Sequence, residues 1–301
     1  MNPTIQASLN YQLAAMKHLQ DMHTYGIVAA EACEVAGQII CEAYSRAFRA
    51  ESISFKGVGD YLTEVDQESN TAILKILKLA TPNIPIVSEE NENGTIRLEK
   101  LCWIVDPLDG TAAFIFKTGA HHPAVMIALQ NNLQVELGVV YLPLTKEWFF
   151  ADPNKGSFYY SSKVQGKKLA MNPCSLPLNN SWIALNHYGD ASFETKHFQN
   201  LRTNLRSSKG AGLVTIEVPH SALGCRMLLD NGPAAVVHDN NSLKVKQAIW
   251  DLAPVKAIIE NAEGVVLQFD GSNYQLNSEG PIIMARNWEL AEQIISLCRN
   301  V

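Results

Sequence analysis

Charge is scarce in this chain. Charged residues make up 18% of its 301 positions, and acids outnumber bases by 30 to 24. The formal charge of −6 leaves no broad cationic surface, which argues against a polymeric nucleic acid or an anionic membrane as partner. No apolar run is long enough to cross a bilayer. Residues Met1 to His23 lack the cationic lead and apolar core of an export signal, so a cytoplasmic location is expected. Six cysteines, Cys33, Cys41, Cys102, Cys174, Cys225 and Cys298, form no Cys-x-x-Cys pair, and several lie in apolar stretches. They read as reduced core thiols rather than zinc ligands or disulfides. Repeats and low-complexity tracts are missing. Gly57 and Gly59 have neither dinucleotide-binding spacing nor the Lys-Ser/Thr ending of a phosphate loop.

What is present is an apolar share of 47%, enough for a large core in one domain or in two that share an interface. Helical spacing runs from Thr24 to Ala50 and again from Gln67 to Leu79, where Thr81-Pro82 closes the second helix. Short strands follow at Ile84 to Ser88, Leu101 to Val105, His122 to Gln130, Val135 to Leu142 and Glu147 to Asp152, with a hairpin turn at Asn131-Asn132. Further on the pattern alternates: a strand at Trp182 to Asn186, a helix near His220 to Leu229 and a strand at Ala234 to His238. A helix at Ala248 to Ala262 and a strand at Gly264 to Phe269 complete it. A layered α/β protein is expected. The polar stretch Ser161 to Asn180, with Pro173 and Pro177, marks the expected boundary between residues 1–160 and 161–301.

The sharpest chemical signal is Trp103-Ile104-Val105-Asp106-Pro107-Leu108-Asp109-Gly110-Thr111, an apolar strand running into two acids. Pro107 fixes one backbone angle and Gly110 permits a tight turn, so both carboxylates can face one point while a helix starts near Thr111. Converging acids beside a helix N-terminus suit a hard cation and a phosphate. A second strand ends in Ser88-Glu89-Glu90. Asp251, after Trp250, opens a helix, and so does Asp66, at the end of Lys56 to Asp66. Alone, each of these two acids reads as a cap.

Together and in this order, the four elements resemble the inositol monophosphatase superfamily of magnesium-dependent, lithium-sensitive phosphatases, which includes bisphosphate nucleotidases and fructose bisphosphatases. The resemblance spans about residues 30 to 290 and implies an alternating α-β-α-β-α sandwich. It implies two or three Mg2+ ions, one on Glu89, Asp106 and the carbonyl of Leu108, another on Asp106, Asp109 and Asp251, and a weaker third sharing Glu89. Asp66, Thr111 and Glu89 would activate water, and Gly110, Thr111 and Ala112 would offer N–H groups to phosphate. It further implies a phosphomonoesterase for a small metabolite, with inositol monophosphate or a similar polyol phosphate as the first expectation and a homodimer by carry-over. A 3′-phosphorylated nucleotide, histidinol phosphate, or a catalytically degenerate binder are the alternatives.

One segment departs from the inositol enzymes, which carry a carboxylate for sugar hydroxyls a few residues before the Trp-Asp pair. This chain has Asp239 to Lys246 there, so Asp239, Lys244 and Lys246 are candidate substrate residues, the lysines for a second anionic group. His121-His122 suits magnesium poorly. Lys117 and Arg226 read as solvated surface groups.

Overall fold

The computed structural model describes residues 24–46, 53–57, 60–91, 98, 100–117, 122–152, 154–169, 182–187, 195–206, 214–217, 221–230, 232–239, 249–278 and 280–299. The chain begins with helix α1 (Thr24–Ser45), a two-stranded ribbon of β1 (Ile53–Gly57) and β2 (Asp60–Thr63), and helix α2 (Glu64–Ala80). Residues 47–50, expected to continue the first helix, lie outside the described residues. The second helix ends as expected at Thr81, whose hydroxyl donates to the carbonyl of Leu77 and accepts from the indole N–H of Trp103.

Seven strands then form one sheet in chain order: β3 (Ile86–Ser88), β4 (Cys102–Asp109), β5 (Ala124–Asn131), β6 (Gln134–Leu142), β7 (Glu147–Asp152), β8 (Gly156–Ser161) and β9 (Val164–Leu169). A short helix, α3 (Thr111–Phe116), follows β4. Only β3 and β4 run parallel; the rest is a meander of antiparallel neighbours. The hairpin between β5 and β6 turns one residue later than expected. Its central residues are Asn132 and Leu133, both at positive φ, the geometry that lets a two-residue loop follow the strand twist. The segment expected to begin a boundary at Ser161 instead carries β9, so the first sheet runs to Leu169.

The second half holds a five-stranded sheet in the order β11-β10-β12-β14-β13: β10 (Trp182–His187), β11 (Val214–Glu217), β12 (Ala235–Asp239), β13 (Val265–Gln268) and β14 (Ile282–Ala285). Four helices accompany it: α4 (Lys196–Arg206), α5 (Leu223–Arg226), α6 (Ile249–Glu260) and α7 (Trp288–Arg299). The helix expected over His220 to Leu229 shrinks to the four residues of α5. Residues 218–220 lie outside the described set, and the amides of Ser221 and Ala222 are turned toward Asp109 instead of continuing a helix.

Period-two alternation explains the layering, because successive strand residues face opposite sides. On β4 and β5, Trp103, Val105, Val125 and Ile127 join α1 and α2, while Cys102, Ile104, Met126 and Ala128 join α6. The second sheet repeats the device: Ala184, Val236 and Met284 face α6, whereas Leu185, Val237 and Ile283 face α4 and α7. The result is the expected α-β-α-β-α sandwich with α6 at its centre.

Close approach is set by small residues. A methyl group at Gly138 on β6 would lie 2.6 Å from the carbonyl oxygen of Pro254 in α6, and one at Gly37 on α1 would lie 2.4 Å from the ring of Tyr141. Both helices are therefore seated directly on the sheet. That ring stacks on Trp148 at 3.7 Å.

Candidate active site

The acids of the central motif are aimed by a bulge. β4 was expected to stop at Val105, yet it stays paired through the motif: Asp106 sits opposite Met126, Asp109 opposite Ala124, and the register shifts between them. Pro107 has no N–H for the ladder and falls within this irregular stretch. Asp106 Oδ1 accepts the N–H of Leu108 at 2.9 Å, tightening the same bend. Gly110 then adopts φ 82°, a left-handed value that glycine takes without strain, and α3 starts at Thr111 as expected.

Two distant segments complete the cluster. Asp109 accepts the backbone N–H of Ser221 at 3.2 Å and of Ala222 at 2.8 Å, bonds that span 112 and 113 residues. Asp251 lies in the first turn of α6, buried with the helix between the two sheets. Asp106, Asp109 and Asp251 each bring a carboxylate oxygen within 4.8 Å of the others, and all three residues are buried. Capping, the bland reading of Asp251, leaves this convergence unexplained.

This donor set fits a divalent cation. Burial pushes Asp106 well above the usual carboxylate range, and the charges of Glu89, Asp251 and Asp109 add to the effect. Burial also raises Asp251, followed by the charges of Asp109 and Glu89. Three carboxylates gathered this closely repel one another unless positive charge sits among them. Oxygen-only ligation by carboxylates selects hard ions such as magnesium over zinc or copper. Glu89, in the single turn of 3-10 helix after β3, acts on Asp106 and Asp251 through its charge but is not one of the three oxygens in the tight group.

A second arm comes from α2. Asp66 is the third residue of that helix and completes a capping box with Thr63: its Oδ2 accepts both the N–H and the hydroxyl of Thr63. Its Oδ1 accepts the hydroxyl of Thr111 at 3.0 Å. The expected cap is thus present on one oxygen of Asp66, and the other reaches Thr111. Burial raises its pKa to about 6, against the lowering bonds from Thr63, and the charge of Glu90 adds a smaller push. The Thr111 hydroxyl also lies 3.2 Å from the carbonyl of Leu108, the expected backbone ligand.

Other candidates take different places. Asp239 ends β12, fully buried, and its carboxylate accepts the N–H of Thr195 at the start of α4. A residue so enclosed and engaged ties sheet to helix, which corrects the expectation of a substrate contact. Lys244, Lys246 and His121 lie outside the described residues. Lys117 is exposed, as expected, and donates to the carbonyls of Tyr44 and Arg46 at the end of α1, whereas Arg226 is half-buried and pairs with Glu147 instead of standing free in solvent. Ser221 and Ala222 were missed, because backbone amides leave no side-chain signature in a sequence.

Residues 21–301 match the model of the inositol monophosphatase family. The Nus factor SuhB of Haemophilus influenzae is 28% identical over 267 residues, covering 89% of this chain and 93% of that protein. Among solved structures, the extragenic suppressor protein suhB from Bartonella henselae superposes with a TM-score of 0.74 at 23% identity, covering 91% of this chain and 97% of that one. An IMPase/NADP phosphatase complexed with Mg2+ and phosphate gives 0.70 at 19% identity, covering 88% and 91%.

Proposed function

The chain belongs to the inositol monophosphatase family, and on that premise we propose that it is a magnesium-dependent phosphomonoesterase acting on a small phosphorylated metabolite. The observation that carries this reading is the convergence of Asp106, Asp109 and Asp251 from three separate parts of the chain. Asp106, Asp109 and Asp251 would hold one ion, and Glu89, Asp106 and the carbonyl of Leu108 another, with a third sharing Glu89. Divalent ions held there supply the positive charge that a phosphoryl group needs as its ester bond breaks.

The protein's own groups do the rest. Thr111, bonded to Asp66, orients the attacking water and passes its proton to the carboxylate, whose pKa of about 6 suits a base working near neutrality. Glu89 assists from the end of the neighbouring parallel strand. The N–H groups of Gly110, Thr111 and Ala112 would receive the phosphate oxygens.

A polyol phosphate such as inositol monophosphate remains the first substrate class. A bisphosphorylated nucleotide is the alternative, resting on Lys244 and Lys246. The structural neighbour described as an NADP phosphatase makes NADP a third compound to test. Relatives named Nus factor carry a name that describes no hydrolysis. The complete acidic set in this chain nevertheless supports turnover over a degenerate binding role. Inhibition by lithium, a homodimeric state and a cytoplasmic location belong to the same proposal.

The test is phosphate release from a panel of monoesters with magnesium and with chelator. Magnesium-dependent release from at least one small ester is expected. No release from any compound, by protein shown to be folded, would overturn the enzymatic reading. Replacing both Lys244 and Lys246 by alanine should raise the KM for a bisphosphorylated nucleotide about tenfold more than that for a polyol phosphate.

A further inference from the structure

Helix α2 meets the region of the clustered acids at two points. Asp66 reaches Thr111 at the start of α3. One turn further along the same face, Asn70 Oδ1 accepts the hydroxyl of Ser88 at 2.7 Å, across 18 residues of chain. Both partners are buried, Asn70 at 4% exposure and Ser88 at 2%. Ser88 is the last residue of β3, and in the parallel pairing it lies level with Val105 of β4. The next residue of each strand is an acid: Glu89 after Ser88, Asp106 after Val105. β3 has only three residues and lies at the edge of its sheet, so the ladder holds it on one side alone. The bond to Asn70 supplies a second hold, at the point where Glu89 departs.

These residues run against local preference. Asp66, Asn70, Ile73 and Leu77 form one buried stripe of α2, apolar at its far end and polar at the end nearer Asp106. Asparagine suits the interior of a helix poorly, because its amide competes for backbone partners. The neighbouring Ser69 hydroxyl is also buried, with no hydrogen-bond partner among the described residues. A helix that needed only a seat on the sheet would continue its apolar stripe here.

We propose that Asn70 and Ser88 are positioning residues for Glu89: the bond between them clamps the end of β3 to α2 and so sets where the Glu89 carboxylate meets a cation shared with Asp106. The inference rests on the metal-binding reading given above and extends it to two residues outside the ligand set.

The experiment is a magnesium titration by isothermal calorimetry on the whole chain, with thermal melting of the chelated protein alongside. Glu89→Gln is the reference and is expected to weaken or remove one binding step. Ser88→Ala should weaken the same step about fivefold, less than the tenfold or more that follows loss of a group bonded directly to a ligand. In the Glu89→Gln background Ser88→Ala should change magnesium binding no further, because both act through one carboxylate. Ser88→Ala also strands the buried Oδ1 of Asn70, so the chelated variant should melt lower. Adding Asn70→Leu removes both partners and should return the melting temperature toward the original. Magnesium should nevertheless stay about fivefold weaker in this double variant. It separates positioning from stability, and it serves alone if Ser88→Ala does not fold.

Affinity that recovers together with the melting temperature would reduce the pair to a structural tie and overturn the proposal. Unchanged affinity in Ser88→Ala would overturn it as well, and so would an undiminished loss in the Glu89→Gln background. If the unmodified chain binds no magnesium, the metal reading fails first. If it binds magnesium and Glu89→Gln binds equally well, Glu89 is no ligand and this proposal falls alone.

Discussion

The hydroxyl of Thr111 lies 3.0 Å from Oδ1 of Asp66, joining the helix start after β4 to the first turn of α2 across 45 residues. The bond links the turn beside the clustered acids to a helix cap. Replacing Asp66 therefore tests two things at once, and they separate cleanly.

Asp66→Asn keeps an acceptor for the N–H of Thr63 but removes the base. Activity is expected to fall about 10²-fold or more, while stability changes by about 1 kcal/mol or less. Steady-state kinetics and denaturant melts of the same preparation check both. Retention of near-normal turnover would deny Asp66 its catalytic role.

Asp106→Asn is expected to abolish magnesium-dependent turnover and to weaken magnesium binding strongly, because that carboxylate belongs to both proposed ion sites. In chelator at pH 7.5 the variant should melt above the unmodified protein, since one of three clustered, buried charges is gone. Differential scanning calorimetry with and without magnesium reads this reversal directly.

The pH dependence follows from the same charges. Asp66, Asp106 and Asp251 all have folded-state pKa values above the unfolded value of about 4. The folded chain binds more protons than the unfolded chain in that window, so its stability falls as pH rises through the folded pKa values. For Asp66 the loss is spread between roughly pH 4 and about 6. Magnesium binds the ionised form and offsets the loss. Its stabilising effect on the melting temperature should be larger at pH 7.5 than at pH 5.5; equal shifts at the two values would contradict the assignment.

Gly138→Ala places a methyl group 2.6 Å from the carbonyl of Pro254 and 2.9 Å from the side chain of Ala257. Backbone must move, at a cost of about 1–3 kcal/mol. Because α6 carries Asp251, a rise in the magnesium dissociation constant should accompany the lower stability. An alanine variant that melts normally and binds magnesium normally would show that α6 is not seated by this contact.

Strands with clean alternation and buried faces were legible from sequence: Glu147–Asp152 is read to the residue, and β5 and β6 to within two at either end. The acids were legible because Asp-Pro-Leu-Asp-Gly-Thr concentrates special backbone chemistry in six positions. What escaped has physical reasons. β8 and β9 carry Gly156, Gly166, Lys167 and Lys168, so their pattern resembles a loop until paired. α4 has few apolar residues, of which Phe198, Leu201 and Leu205 are buried. α7, by contrast, has a readable stripe in Leu290, Ala291, Ile294, Ile295 and Cys298, but lies past the last element that sequence reasoning reached. The union of Asp109 with Ser221 and Ala222 could not be read, since it depends on main-chain groups.

The central helix also dictates an order of events during synthesis. The first sheet is complete in sequence at Leu169, but the side chains that will cover Ile104, Met126, Val140 and Phe149 arrive only with residues 249–260. A chain emerging from the ribosome must therefore carry an uncovered apolar sheet for some eighty residues, about 4–16 s at ordinary elongation rates. During that interval it is a natural client for chaperones that shield apolar surface. Truncation anywhere before Glu260 should yield aggregates rather than a smaller folded domain.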